Sequence, residues 1–286
     1  MKNDISFGII GGDIRQVYLA EAINDDDFDV RLYGFDKLNN TKYLTSSLPD
    51  LINSSDYVIL PMPFTKDSVN LNAPFSNDSI HISDLTSLLK NKYVFSGKIP
   101  QKFNFKNSKL YDYSSRDDFA ILNAIPTAEA ALQIAMSKRV KTIYKSKCLV
   151  SGFGRIGKVL SRLLFSMGAN LTVSARNPSD IAWIKSLTYN AVHTSKIKNS
   201  GKYDIIFNTV PHKIFDKETL LNCTSPETLI IDLASAPGGI DFDFAKSINV
   251  QAIHALALPG KFTPHTAAQF IKQTIYNIIR EENIYE

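Results

Sequence analysis

The segment Lys147-Cys148-Leu149-Val150-Ser151-Gly152-Phe153-Gly154-Arg155-Ile156-Gly157-Lys158-Val159-Leu160 constrains this chain more than any other. A strand-length apolar run, Lys147 to Val150, enters a turn with glycine at 152, 154 and 157, and Ile156, Leu160, Leu163, Leu164 and Met167 then recur at helical spacing. Gly168 stops that helix and a second apolar run begins at Leu171. Strand, tight glycine turn, helix and strand in this order form a βαβ unit, which demands a parallel sheet.

The same alternation runs through the whole sequence. In the first half it predicts strands near Ile5–Ile10, Val30–Tyr33, Tyr57–Leu60, Tyr93–Phe95 and Lys109–Tyr113, with a helix from about Ile14 to Ile23. In the second half it predicts strands near Lys147–Val150, Leu171–Ser174, Ala191–His193, Ile205–Asn208, Leu229–Asp232 and Val250–Ile253. Length (286 residues) and 44% hydrophobic content supply two cores. The fold class is therefore α/β, with two doubly wound, mostly parallel-sheet domains, the second a Rossmann NAD(P)-binding domain. The expected division is 1–124 for a substrate-side domain and 125–263 for a linking helix plus the nucleotide-binding domain. Pro126 is read as the first helical position of that linking helix. A final helix from about Thr266 to Glu282 carries Phe270, Ile271, Ile275 and Ile278 on one face, and 264–286 is expected to pack back on the first domain.

Several classes are disfavoured. Charged residues make up 21% and the net charge is +4, too balanced for a disordered chain. No apolar run approaches membrane-spanning length, and Met1-Lys2-Asn3-Asp4 leads into a strand, not a signal sequence. The basic stretch Lys138 to Lys147 has no nucleic-acid-binding motif around it. Cys148 and Cys223 form neither a CxxC nor a disulfide framework, and no histidine has metal-ligand spacing to another, so no metal is expected and a reducing cytosol is the natural compartment.

The candidate chemistry lies beyond strand ends. Gly152 permits the turn, Gly154 lets a diphosphate approach the backbone and Gly157 lets helix meet strand, while the helix start (Phe153, Arg155, Ile156) offers free N–H groups to the anion. After the next strand, Ser174-Ala175-Arg176 stands where an acid would hold the ribose diol of NAD, so Arg176 favours NADP, with NAD possible. Asn208-Thr209-Val210-Pro211 and Asp232-Leu233-Ala234 complete the expected cofactor surface. In the first domain Arg15, Ser96, Lys98 and Arg116, with Thr127 at the linking helix, are candidate ligands for a small anionic substrate held in a cleft between the domains. His265 is the candidate acid or base.

Taken together, Ile9-Ile10-Gly11-Gly12-Asp13-Ile14-Arg15-Gln16, Phe95-Ser96-Gly97, Asn123-Ala124-Ile125-Pro126-Thr127-Ala128-Glu129, the GFGRIG turn, Asp232 to Gly239 and Leu258-Pro259-Gly260 resemble the dipicolinate synthase A-subunit family of spore-forming bacteria. That family is similar in architecture to alanine and 2-hydroxyacid dehydrogenases. The resemblance implies NADP-dependent oxidation of dihydrodipicolinate to pyridine-2,6-dicarboxylate in the mother-cell cytoplasm, with the flavoprotein-like B-subunit of dipicolinate synthase as partner and a homo-oligomer expected. The loop from Ile231 to Gly239 looks like one that carries a substrate-gripping arginine in 2-hydroxyacid dehydrogenases, but here holds Ser235 and Ala236. Thr263-Pro264-His265 looks like their catalytic-histidine segment, but the region from Ser235 to His265 offers Asp241 and Asp243 and no glutamate to orient the ring, which leaves His265 as a proton acceptor only. Two alternatives stand beside this reading: a 2-hydroxyacid or amino-acid dehydrogenase, and a non-catalytic nucleotide-binding component of a two-component synthase.

Overall fold

Among the described residues eleven of the short β-branched and aromatic runs are strands, every one paired in parallel with its neighbours. The computed structural model describes residues 5–39, 41–103, 105 and 107–282; the expectations for Met1 to Asp4 and for 283–286 lie outside the described residues. The chain divides into two compact units, Met1–Asn123 with Thr263–Glu286, and Ala124–Phe262.

The first unit contains β1 (Ser6–Ile10), α1 (Ile14–Asn24), β2 (Asp29–Tyr33), α2 (Leu48–Asn53), β3 (Tyr57–Ile59), α3 (Ile82–Leu88), β4 (Tyr93–Ser96) and β5 (Lys109–Asp112). Its sheet runs β2-β1-β3-β4-β5. The order reverses between β1 and β3, which opens a crevice at their carboxyl ends. The apolar stripe of the last helix, α10 (Pro264–Glu281), buries Ala268, Ile271, Ile275, Ile278 and Ile279 in the same core as Leu19 and Ile23 of α1. Fully burying each large aliphatic side chain contributes about 1.5–3 kcal/mol, so this stripe anchors the C-terminal segment. On the other face α2 and α3 bury Leu51, Ile52, Ile82 and Leu85.

The second unit contains β6 (Lys147–Ser151), α5 (Arg155–Ser166), β7 (Asn170–Ala175), α6 (Pro178–Ser186), β8 (Asn190–His193), β9 (Ile205–Asn208), α7 (Lys217–Cys223), β10 (Leu229–Asp232), α8 (Phe242–Ser247), β11 (Gln251–His254) and α9 (Leu258–Phe262). Strand order is β11-β10-β9-β6-β7-β8, the doubly wound dinucleotide-binding order, with its reversal between β6 and β9. Helix α5 ends at Ser166 with Gly168 at φ +75° just beyond, a left-handed stop that suits glycine.

One helix departs from expectation. The Ala/Leu-rich segment belongs to α4, which runs from Asp117 to Lys138 over 22 residues, so Pro126 lies inside it. Asp117 and Asp118 occupy its first turn, where acids suit the helix dipole, and this start signal lies upstream of the proline. Pro126 lacks an N–H and leaves one rung of the ladder open without ending the helix. By length and composition α4 is also long and apolar enough to cross a bilayer, which the strand-length runs did not suggest; half of its most apolar window is buried inside the protein.

Candidate functional site

The turn after β6 is shaped by its three glycines in three different ways. Gly152 adopts φ +100°, and a Cβ there would collide with the Thr209 hydroxyl beyond β9. A Cβ on Gly157 would fall onto the carbonyl oxygen of Gly152, so only glycine lets α5 sit this close to β6. Gly154 is the opposite: a Cβ there would meet nothing within 4 Å. Gly154 is also the N-cap of α5 and supplies no side-chain cap, and no acid stands in the helix's first turn. The start of this 12-residue helix therefore presents backbone donors and a positive dipole end beside open space, which fits a diphosphate. Arg155 is exposed, Ile156 half-buried, and Phe153 is buried with the Lys158 ammonium 5.5 Å from its ring centre.

The carboxyl ends of β9 and β10 are stitched behind that turn. The Asn208 amide donates to Asp232 Oδ1 at 2.8 Å and to the Val210 carbonyl at 3.0 Å. Asp232 also accepts the N–H of Ala234 at 3.1 Å and that of Gly239 at 2.8 Å. Both side chains are 0% exposed, so the structure corrects their expected part in the cofactor surface: they hold the loops and do not face solvent. Leu233 and Ala234 are buried too, whereas Thr209 and Val210 are half-buried and Pro211 exposed. Thr209 Oγ1 donates to the Ser151 carbonyl at 2.9 Å, tying β9 to β6 at the reversal point. Ser174 is likewise part of the wall, fully buried, its carbonyl accepting Gly152 N–H at 3.1 Å. Arg176 is exposed at the end of β7.

In the first unit the reversal point is organised around Arg15. Its Nε and Nη2 donate to the Asp13 carboxylate, each at 2.8 Å, and Nη2 also reaches the Met62 carbonyl at 2.6 Å beyond β3. Asp13 in turn caps α1 by accepting the Arg15 N–H. Arg15 is 7% exposed; burial pulls its pKa down, but the hydrogen bonds and charge of Asp13 outweigh this and raise it, so the guanidinium stays charged. Tyr113, just past β5, is fully buried and its hydroxyl has no hydrogen-bond partner among the described residues. Burial pushes that phenol well above its ordinary pKa, with the Arg15 charge pulling partly the other way. Sequence reasoning missed Tyr113 because a tyrosine after a strand reads as core.

Three further candidates take other roles. Ser96 is 0% exposed and its hydroxyl donates to the Pro61 carbonyl at 2.9 Å, so it braces β3 against β4. Arg116 is engaged by Glu281 and Asp118 at 2.6 and 2.9 Å; both acids raise its pKa, and it ties the start of α4 to the end of α10. Thr127 is an interior helical residue whose N–H is directed along the helix, because α4 starts ten residues earlier, at Asp117. Lys98 is exposed and sits at φ +56°, its N–H bound to Ser114 Oγ at 2.8 Å. His265 is exposed near the start of α10, its ring edge-on to Tyr18 at 5.5 Å between ring centres. Asp241 caps α8 and pairs with Lys213 at 3.0 Å. Among the described residues no group of three or more His, Cys, Asp or Glu could hold a metal. Both cysteines are buried, which pushes the Cys148 thiol up to about 12 and the Cys223 thiol up to about 11.

With this geometry in place, comparison with known proteins identifies the family. Residues 6–111 match the N-terminal domain of the dipicolinate synthase A-subunit. The chain is 32% identical over 294 residues to the dipicolinate synthase A-subunit of Bacillus subtilis (strain 168), covering 98% of each. The chain belongs to the dipicolinate synthase A-subunit family. The crystal structure of the A chain of dipicolinate synthase from Bacillus subtilis is similar to this one with a TM-score of 0.87 and 31% identity, covering 100% of this chain and 99% of that one. An L-alanine dehydrogenase shares the fold with a TM-score of 0.64 at 10% identity, over 96% of this chain and 89% of that one. The likeness to the alanine dehydrogenase is one of fold: two mostly parallel sheets flanked by helices.

Proposed function

We propose that this chain is the dehydrogenase component of a dipicolinate synthase, oxidising dihydrodipicolinate to pyridine-2,6-dicarboxylate with NADP preferred over NAD. The observation that carries this reading is the start of α5, where an uncapped helix end and the open side of Gly154 face the same space in a member of this family. Bound there, a nicotinamide dinucleotide supplies the hydride acceptor. Gly152, Phe153, Gly154, Arg155, Ile156 and Gly157 form its diphosphate seat, with Thr209, Val210 and Pro211 from the neighbouring strand end. Absence of an acid after β7, with Arg176 exposed in that place, supports the 2′-phosphate form.

A dicarboxylate substrate needs cationic partners, and in the first unit these are Arg15, through the Nη1 edge that Asp13 does not occupy, and the exposed Lys98. Formation of an aromatic ring supplies much of the driving force, so the chain's task is mainly alignment, and one proton acceptor is enough. His265, exposed at the start of α10, is assigned that part. The partner is the flavoprotein-like B-subunit, the assembly contains more than one copy of this chain, and the setting is the mother-cell cytoplasm of a sporulating bacterium.

The test is reconstitution. The chain purified with its flavoprotein-like partner, given dihydrodipicolinate and NADP, should develop the near-ultraviolet absorbance of the pyridine dicarboxylate in step with NADPH. Absence of product with NADP and with NAD would remove the proposal; cofactor binding without turnover would favour a nucleotide-binding component whose catalysis lies in the partner.

A further inference from the structure

The loop that follows β3 folds back onto the glycine turn of the first unit and carries to it a polar side chain that no contact of the protein uses. Phe64 N–H bonds the Gly97 carbonyl at 3.0 Å beyond β4, and Asn72 N–H bonds the Phe64 carbonyl at 2.9 Å. The Asn72 carbonyl in turn accepts the Gly12 N–H at 2.8 Å. Both main-chain groups of Asn72 are therefore engaged, and its place beside the turn is fixed. The approach is close: a Cβ on Gly11, which sits at φ +62°, would lie 2.9 Å from Ala73 Cβ. Arg15 binds the same loop through the Met62 carbonyl at 2.6 Å.

Leu71 and Ala73 pack into the core that also holds Ile10 and Leu85. Side chains of extended backbone alternate, so Asn72 between them turns away from that core. Asn72 is 8% exposed, and among the described residues its amide has no hydrogen-bond partner. Unlike the Tyr113 hydroxyl, which is sealed from solvent, this amide keeps an edge on open space. Burying an amide unpaired costs free energy, and folds satisfy nearly all such groups. An amide held in place by its own main chain, with one edge left open, is therefore a ready partner for a ligand. Arg15, on the helix that this turn opens, has Nε and Nη2 on Asp13 and leaves its Nη1 edge free among the described residues. A carboxylate has two oxygens and about four acceptor sites, more than one guanidinium edge fills, and a neutral N–H beside the cation supplies the rest.

We infer that Asn72 binds the substrate, its Nδ2 donating to the carboxylate that Arg15 takes, and so fixes how that carboxylate is turned. The inference rests on the proposed dicarboxylate reading and adds to it a residue from the loop after β3, where a lone asparagine carries no motif.

Calorimetric titration of the full-length chain with dipicolinate, with NADPH present, tests it. Asn72→Ala should weaken dipicolinate about tenfold, as loss of one hydrogen bond to a charged group requires, and leave NADPH affinity within about twofold. Asn72→Asp has nearly the same shape but sets a second carboxylate against the ligand's, so it should bind dipicolinate more weakly still. Thermal melting and NADPH binding report whether each variant folds, and Asn72→Ala decides the matter if Asn72→Asp does not. Dipicolinate affinity within twofold of the parent in Asn72→Ala, or equal losses for dipicolinate and NADPH, overturns the inference. So does a folded Asn72→Asp chain that binds dipicolinate as tightly as Asn72→Ala or tighter, because the amide would then be an acceptor. A parent chain that binds NADPH but no dipicolinate removes the substrate reading together with the inference; a parent that binds dipicolinate, loses it in Arg15→Lys and keeps it in Asn72→Ala removes the inference alone.

Discussion

Gly154 and Gly157 stand three residues apart in one turn, yet alanine should have opposite effects at the two positions. At Gly154 the backbone is extended, φ −80° and ψ −164°, which any residue adopts, and a Cβ meets no protein atom within 4 Å. Restricting the unfolded chain stabilises Gly154→Ala by about 0.4–1 kcal/mol, while alanine is a poorer N-cap by a similar amount, about 0.5–1 kcal/mol. The two nearly cancel, so thermal melting should move by no more than about 2 °C. The added methyl instead fills the space through which a diphosphate reaches the helix N–H groups. Hydrogen bonds to a charged group are worth about 1.5–3 kcal/mol each, so losing one weakens nucleotide binding about 10- to 100-fold. At Gly157 the Cβ falls on the Gly152 carbonyl, which is backbone and cannot swing aside, and α5 must lift from β6. Overpacking of this kind costs about 1–3 kcal/mol, or roughly 4–12 °C in melting temperature for a domain of this size. Differential scanning fluorimetry and NADPH fluorescence titration on both variants separate the effects. A Gly154→Ala chain that melts early yet binds NADPH like the parent would refute the assignment of the open side to a ligand.

The remaining predictions concern charge and burial. Arg176→Glu should shift preference from NADP toward NAD by placing an acid where a ribose diol is held; an unchanged affinity ratio would refute the role of Arg176. Arg15→Lys keeps the charge but loses the two-pronged grip on Asp13 and the reach to the Met62 carbonyl, so melting should fall by a few degrees and dipicolinate binding should weaken, both readable by calorimetry. Arg116 lowers the Asp118 carboxyl to about 2 and holds Glu281 below its ordinary value. Because those folded-state pKa values are depressed, their stabilisation is present above the ordinary carboxylate range near pH 4 and is lost as pH falls toward 2; Arg116→Gln should flatten that part of the melting-temperature profile. The buried Cys148 and Cys223 thiols, raised to about 12 and about 11, should resist a thiol reagent at pH 8 in the folded chain and react once it is denatured.

Where the sequence spoke clearly, it did so through backbone constraints that local residues settle. Strand runs such as Ile205–Asn208 and Leu229–Asp232 are continuous apolar segments because both faces of their sheet are covered, and periodicity detects this directly. The glycine turn was legible because each glycine answers a contact that forbids or leaves room for a side chain. The start of α4 was not, because a proline in an alanine-rich run is a better start signal than Asp117-Asp118, and only the fold shows that the helix continues through Pro126. Polar side chains at strand ends were the hardest. Asn208, Asp232, Ser96 and Arg116 look like ligands in a sequence, and whether such a group faces solvent or a neighbouring loop depends on contacts tens of residues away, such as Arg116 with Glu281. The same long-range dependence hid Tyr113, which is informative only because its buried hydroxyl lacks a partner among the described residues.

The two sheets also differ in what their first turns offer a ligand, which bears on the proposed nucleotide site. Both reverse strand order beside their first strand, and both place a glycine-containing turn at that point, followed by a helix. After β1 the turn runs Gly11-Gly12-Asp13, and Asp13 caps α1 while binding Arg15, so the helix end is already satisfied by an anion of the protein itself. A diphosphate brought there would meet a carboxylate. After β6 the corresponding cap is Gly154, which contributes no side chain and leaves its donors to whatever anion arrives. Because the Asp13 carboxylate takes only the Nε and Nη2 side of Arg15, the first turn is left with a held cation instead of a free helix end. A held guanidinium suits a carboxylate, and a free helix end suits a phosphate. One residue at the cap thus separates the two turns chemically, so Gly154→Asp should confer on the second turn the character of the first: nucleotide binding lost, α5 better capped and melting temperature raised by a few degrees in thermal scanning.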